Sequence, residues 1–212
     1  MGREFIDIFE DWAEDYDHAV SGHDPQYKAV FADYENILHE VAKASYGNVL
    51  EFGVGTGNLT DKLLQAGLQV TGIEPSPAMR EIVREKLPEI EVVDGDFITF
   101  PNPTIEIDTI VSSYAFHHLN DVEKEQAVRQ FAEMLPVGGK IVFADTMFES
   151  NVVKENIIHD SMQKGYTDLV DDLNREYYPI IDDIRNIFER SHFDISFKQM
   201  NDFVWLIIAN KK

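Results

Sequence analysis

Asn48-Val49-Leu50-Glu51-Phe52-Gly53-Val54-Gly55-Thr56-Gly57-Asn58-Leu59-Thr60 is an apolar run that ends in alternating glycines and then turns helical. Glycines at 53, 55 and 57 let the backbone take positive φ and let a ligand approach where no Cβ stands in the way. Leu59, Leu63, Leu64 and Ala66 follow at helical spacing. The stretch therefore reads as strand, tight turn and helix, with exposed N–H groups at the helix start. That is an arrangement for holding a nucleotide-bearing cofactor.

Two details choose the cofactor. A dinucleotide fingerprint of the form G-x-G-x-x-G would need glycines at 53, 55 and 58, and position 58 is Asn. No Lys or Arg lies between Gly47 and Asp61, while Glu51 stands at the strand's end, a poor lining for a pyrophosphate. S-adenosylmethionine suits this loop better, because it carries a sulfonium and an ammonium against one carboxylate. Its single anionic group can sit at the helix N-terminus.

E-x-G-x-G-x-G after an apolar strand resembles motif I of the class I S-adenosylmethionine-dependent methyltransferases. Further matches follow in order: Gly72-Ile73-Glu74-Pro75-Ser76, Asp94-Gly95-Asp96-Phe97, Asp108-Thr109-Ile110-Val111-Ser112-Ser113, and Leu135-Pro136-Val137-Gly138-Gly139-Lys140. An ordered series is far more specific than a lone glycine loop. With Trp12-Ala13-Glu14-Asp15-Tyr16-Asp17 and Asn201-Asp202-Phe203-Val204-Trp205, the resemblance runs over the whole chain and is to the YrrT-like subgroup of methyltransferases. It implies an α/β, Rossmann-like fold with a seven-stranded, mostly parallel sheet, an antiparallel last strand and helices on both faces.

Composition agrees with a single domain over residues 1–212. At 44% hydrophobic content the chain supports one full-sized core. It has no cysteine, which fits a reducing compartment. The N-terminus carries acids where a secretion signal needs bases, and no run approaches the roughly 20 apolar residues of a membrane span. These features predict a soluble, cytoplasmic protein with no membrane partner. The net charge of −21 disfavours phosphate backbones, so nucleic acid is not the expected substrate. Such acidity serves solubility, and beyond that it favours neutral or cationic small substrates.

The domain divides into an N-terminal helical segment (1–46), a cofactor-binding core (47–145), a helical insertion (146–192) and a closing hairpin (193–212). Phe5, Phe9, Trp12 and Tyr16 recur at helical steps, and residues 27–44 show one apolar face. By resemblance the segment before the first strand lies over the cofactor as a lid. Tyr16 and His18 are its candidates for reaching the site, against simple core packing for the earlier aromatics. Residues 69–74 form the second strand, closed by Glu74, which lies 21 residues after Gly53. A carboxylate there can accept two hydrogen bonds from a ribose diol. Ser76 and Pro77 start the next helix as cap and first residue.

By resemblance Asp96 takes the adenine amino group and the Phe97 backbone N–H meets a ring nitrogen, although a turn acid that caps local N–H groups is the competing account of Asp96. Phe100-Pro101-Asn102-Pro103 permits only a loop. Ser112 and Ser113 end the fourth strand, and ligands of open α/β sheets bind beyond such carboxyl ends where the strand order reverses. We assign Ser113 to the cofactor with Glu51, Gly53, Gly55, Gly57, Glu74, Asp96 and Phe97. Tyr114-Ala115-Phe116-His117-His118-Leu119 gathers two imidazoles. Adjacent histidines lack the i, i+4 spacing of helical metal ligands, and no nearby Cys or acid completes a zinc set, so no metal is assigned. Structural hydrogen bonding and contact with substrate both stay open, His117 being the better candidate for a base or polar contact.

Asn120 with Glu123 makes a capping box. Residues 140–145 read as a central strand buried on both faces, residues 151–190 as acidic helices broken near Gly165 and Tyr177-Tyr178-Pro179, and residues 193–199 and 203–209 as a hairpin. The function expected is methyl transfer from S-adenosylmethionine to a small-molecule acceptor, with His117 and Tyr16 as catalytic candidates. A cofactor sensor without catalysis and a nicotinamide oxidoreductase are the alternatives, the latter because Glu74 would serve a ribose there too.

Overall fold

The computed structural model describes Val20 and residues 22–212, and through them runs a seven-stranded sheet. Its strands are β1 (Asn48–Phe52), β2 (Gln69–Ile73), β3 (Glu91–Val93), β4 (Thr109–Ser113), β5 (Lys140–Thr146), β6 (Phe193–Gln199) and β7 (Val204–Lys211). They lie in the order β3-β2-β1-β4-β5-β7-β6. Pairing is parallel from β3 to β5 and antiparallel where β7 meets β5 and β6. The order therefore reverses between β1 and β4, which places the glycine loop at the switch point of the sheet. This is the Rossmann-like architecture that the resemblance implies, with the last strand antiparallel.

The described helices are α1 (Tyr34–Ala44), α2 (Asn58–Gln65), α3 (Pro77–Lys86), α4 (Asp121–Met134), α5 (Asn151–Lys164), α6 (Thr167–Arg175) and α7 (Ile181–Arg190). Side chains alternate between sheet faces, and the two faces bury different helices. Leu50, Phe52, Ile110 and Phe143 pack with Phe131 of α4 and Phe188 of α7. Val49, Val111 and Val142 pack with Leu38 and Val41 of α1, Leu63 of α2 and Leu173 of α6. Phe52 stacks on Phe97 at 5.1 Å, so the loop after β3 is anchored in the first of these layers. No described helix is long and apolar enough to cross a membrane.

Local chemistry sets most element ends as expected. The Ser76 hydroxyl accepts from the Met79 N–H at 3.3 Å, and Asn120 and Glu123 exchange both bonds of a capping box. After α2, the Gly67 and Leu68 N–H groups return to the Leu64 and Leu63 carbonyls, with Gly67 at φ 79°. Residues 97–107 contain no helix.

One expectation is corrected: the helix over 27–44 begins only at Tyr34, and residues 25–33 are turns. Asp24 caps the Gln26 N–H at 2.8 Å, Asp33 sits at φ 59°, and Asn201 donates to the Val30 and Ala32 carbonyls at 3.0 and 2.9 Å. Those carbonyls are bound by a distant side chain, which the apolar periodicity of the segment does not reveal. The helix expected over Phe5 to Tyr16 lies outside the described residues.

Candidate active site

Gly53 follows β1 at φ 69°, and a Cβ there would stand 2.8 Å from the Ala115 Cβ, so only glycine fits. Gly55, at φ 57°, is different: a Cβ would meet no described atom within 4 Å, which leaves that side of the loop open to a ligand. Gly57 caps α2 and packs against Val83, whose Cγ2 would lie 2.7 Å from an added Cβ.

Two buried carboxylates frame this loop. Glu51 is 1% exposed; one oxygen accepts from the Thr60 hydroxyl at 2.7 Å and the other, Oε1, has no hydrogen-bond partner among the described residues. Burial pushes its carboxyl up to about 8, against the lowering effect of Thr60 and with the help of the Glu74 charge. Glu74 lies one residue beyond the Phe52–Ile73 register pair, where the Gly53 N–H bonds the Ile73 carbonyl. Its two oxygens accept from the Gly55 N–H at 2.9 Å and the Ser76 N–H at 2.8 Å. These bonds fix the carboxylate against the glycine loop, while burial raises its pKa and the two N–H groups lower it.

Asp96 is buried, and its Oδ1 accepts from the Ile98 and Thr99 N–H groups at 2.9 and 2.8 Å. That is the turn-capping role weighed from sequence. The Phe97 ring belongs to the core, so only its backbone is offered to a ligand. Arg80 was not legible in the sequence as a site residue. Its guanidinium donates to the Glu74 and Pro75 carbonyls at 2.6 and 2.8 Å and pairs with Asp94 at 3.0 Å, binding the loops after β2 and β3 together.

At the end of β4, Ser113 pairs with Ala144 and is half-buried. Its neighbour Ser112 turns the other way, with a buried hydroxyl that has no partner among the described residues and lies 4.0 Å from where a Gly53 Cβ would be. Ser112 is thus the serine nearer the glycine loop, a difference set by strand alternation. Tyr114 takes φ 52°, a left-handed conformation that costs a non-glycine residue about 1 kcal/mol or more. It turns the chain out of β4, with its ring 5.3 Å from Phe31 and 5.5 Å from Tyr34.

The two histidines follow on a 3-10 turn, Phe116–His118. His117 Nδ1 bonds Asp145 Oδ1 at 2.5 Å, and its backbone N–H bonds the other Asp145 oxygen at 2.8 Å. Its Nε2 lies 3.3 Å from Glu176 Oε2, and the ring stacks on Tyr178 at 4.6 Å. Burial opposes a charge on His117, but Asp145 and Glu176 outweigh it and push the imidazole up to about 9. Glu176 is held down to about 2 by His117 in spite of its burial. His118 is pushed well below the usual range by burial and by the charge on His117. Glu176 lies 58 residues beyond His118, so nothing local in the sequence joins it to them. Tyr16, the other catalytic candidate, and His18 lie outside the described residues.

A cavity of about 350 Å³ opens beyond the carboxyl end of β5, among Phe148, Asp160, Lys164, Tyr166, Asp202 and Trp205. It is lined by none of the glycine-loop residues, yet Phe148 reaches Tyr178 at 6.3 Å and so connects it to the histidine turn.

Comparisons with known proteins agree with this geometry. A methyltransferase-domain family model matches residues 49–139. An uncharacterized methyltransferase of Oceanobacillus iheyensis is 61% identical over 211 residues, covering 100% of this chain and 99% of its own length. The uncharacterized methyltransferase YrrT of Bacillus subtilis is 51% identical over 213 residues and 100% of both chains. In fold, the chain matches the magnesium protoporphyrin IX methyltransferase of Synechocystis, solved with bound SAH, with a TM-score of 0.77 at 16% identity over 100% of both chains. It also matches a possible histamine N-methyltransferase of Thermotoga maritima, with a TM-score of 0.69 at 17% identity over 98% of this chain and 99% of the other. At such identities the likeness is one of fold, whereas the two bacterial relatives align end to end. The chain belongs to the same methyltransferase family as these relatives and is a class I methyltransferase enzyme.

Proposed function

We propose that the protein transfers a methyl group from S-adenosylmethionine to a small-molecule acceptor. The observation that carries this reading is the buried Glu51 oxygen without a hydrogen-bond partner, at the foot of the glycine loop. A carboxyl that burial pushes up to about 8 is suited to a cationic ligand, because an ammonium nearby restores the ionised form. The other residues fit the same cofactor. Glu74 accepts one N–H on each oxygen and keeps lone pairs for a ribose diol. Gly55 leaves the loop open, Gly53 and Gly57 shape it, and the Asp96 carboxylate with the Phe97 backbone N–H would hold the adenine. Ser113, at the carboxyl end of β4, would face the cofactor.

The cofactor supplies a methyl group already activated by its sulfonium leaving group. The protein's residues then need to align an acceptor and exclude water, a contribution of at best roughly 7–11 kcal/mol in intramolecular models. His117 serves by orientation: an imidazole pushed up to about 9 is already protonated at neutral pH and takes no further proton. Tyr16 is the second polar contact we assign to the acceptor. A small acceptor is supported by the methyltransferase family to which the chain belongs. The net charge of −21 favours a neutral or cationic acceptor and disfavours nucleic acid.

Titration calorimetry with S-adenosylhomocysteine tests the cofactor site. Wild-type protein should bind saturably at one site per chain. Glu74→Ala should weaken binding about 10- to 100-fold, because it removes the diol acceptor and strands two N–H groups. Unchanged affinity in that variant would overturn the ribose assignment. Mass spectrometry of a metabolite panel incubated with the methyl donor should then show a product 14 Da heavier (about 14 Da per methyl replacing hydrogen).

A further inference from the structure

Among the described residues outside the cofactor set, two buried histidines and a half-buried glutamate have the geometry of a ligand set. His117, His118 and Glu176 each turn a donor atom inward, and these atoms all lie within 4.8 Å of one another. We propose that they bind a divalent transition-metal ion of zinc's class. Glu176 Oε2 is 3.3 Å from His117 Nε2, and Glu176 Oε1 is 3.8 Å from His118 Nε2. Zinc bonds of about 2.0–2.1 Å at tetrahedral angles hold ligand atoms about 3.3 Å apart. With one donor atom from each residue the set lies within 4.8 Å, so reaching that spacing takes side-chain adjustments of about 1.5 Å at most.

The outer contacts make the stronger case. His117 Nδ1 is committed to Asp145 at 2.5 Å and His118 Nδ1 to the Ala115 carbonyl at 3.0 Å. Both acceptors keep a proton on Nδ1, so once metal binding displaces the Nε2 proton of His117, both Nε2 atoms face Glu176 as donors. A carboxylate behind one metal-ligating imidazole and a carbonyl behind the other is the usual way such ligands are oriented. Glu176 is braced in turn by the Tyr178 hydroxyl, which donates to Oε2, and the Tyr178 ring covers His117.

Two imidazoles and one carboxylate suit zinc and also non-haem iron sites, and supply three ligands from among the described residues. A cavity of about 340 Å³, lined by Asn120, Asp121, Asn151 and Lys154, reaches Glu176. Competing cations stand nearby. Arg175 lies 3.6 Å from Glu176 but 2.6 Å from Asp172, its closer partner. Lys154 stands 5.8 Å from the centre of the Tyr178 ring. The ion would join the turn after β4 to the segment between α6 and α7, two parts of the chain that share no backbone pairing.

The test uses full-length protein stripped with a chelator and titrated with Co(II), then Zn(II), in the absence of methyl donor. We expect one equivalent of Co(II) with a four-coordinate visible spectrum, displaced by Zn(II). Glu176→Gln should weaken binding by more than tenfold, and Asp145→Asn, which leaves the three ligands in place, by about 10- to 100-fold. Circular dichroism identifies which variants are folded, and either folded variant suffices. Absence of stoichiometric uptake overturns the proposal, as does uptake unchanged in a folded variant, which would mean an adventitious ion on the exposed His23, His39, His159 or His192. Because no methyl donor is present, either result leaves the methyltransferase reading untouched.

Discussion

Glu51 is the residue at which sequence, burial and chemistry meet most directly. Its pKa, raised above the ordinary 4.5 to about 8, means that the folded protein holds a proton there that the unfolded chain releases. The stability linked to this group is therefore fully present below pH 4.5 and is lost as pH rises through about 8. Glu51→Gln removes that dependence. Urea midpoints of the ligand-free proteins should show the variant gaining on wild type from pH 5 to pH 8, by about 1 kcal/mol for each unit of pH at most. Cofactor binding should release a proton from wild-type protein near pH 7, measured as a buffer-dependent heat, and none from this position in Glu51→Gln. The sequence showed an acid at this strand end; that the carboxylate is buried with one oxygen unpaired is a fact of packing.

At the scale of elements, most boundaries follow from short-range chemistry. The Asn120–Glu123 box at the start of α4 closes with bonds of 3.1 and 2.9 Å, and it stands directly after the histidine turn. Asn120→Ala should cost about 1 kcal/mol of stability, measured by urea denaturation, with cofactor affinity unchanged. The start of α1 shows the limit of such reading. The apolar stripe over 27–44 is real, since Val30, Tyr34, Ile37, Leu38 and Val41 are all buried in one cluster. Periodicity reports the buried face and not the backbone path, and here Asn201, from the far end of the chain, takes the carbonyls of the preceding turn. That the Ser112 hydroxyl is the one buried near the glycine loop has a similar cause, because adjacent strand residues look alike in sequence and face opposite layers.

For the molecule as a whole, the insertion between β5 and β6 is joined to the sheet by polar contacts as well as by its core. Lys124 is fully buried, and its ammonium donates to the Leu119 carbonyl and to the Tyr177 carbonyl, the latter at 2.7 Å. Burial lowers its pKa to about 8, with Asp121 and Asp145 opposing. Lys124→Met would keep the packing and leave both carbonyls unsatisfied. We expect a loss of about 2 kcal/mol, and faster protease cleavage near Tyr177 than in wild type, read by limited proteolysis and mass spectrometry. Unchanged cleavage would mean that α6 and α7 hold the segment without this lysine.

By itself the sequence determined the order of strands and helices, the glycine bend after β1, the acid after β2 and the capping of α3 and α4. Each depends on residues only a few positions apart, whose conformational preferences act before any distant contact forms. Tertiary structure alone decided which carboxylates lost their water, which serine faced the glycine loop, and that Glu176 and Asp145 would enclose the histidine turn. These depend on the sheet bringing together segments tens of residues apart, where burial and convergent geometry give an ordinary acid or imidazole its particular chemistry.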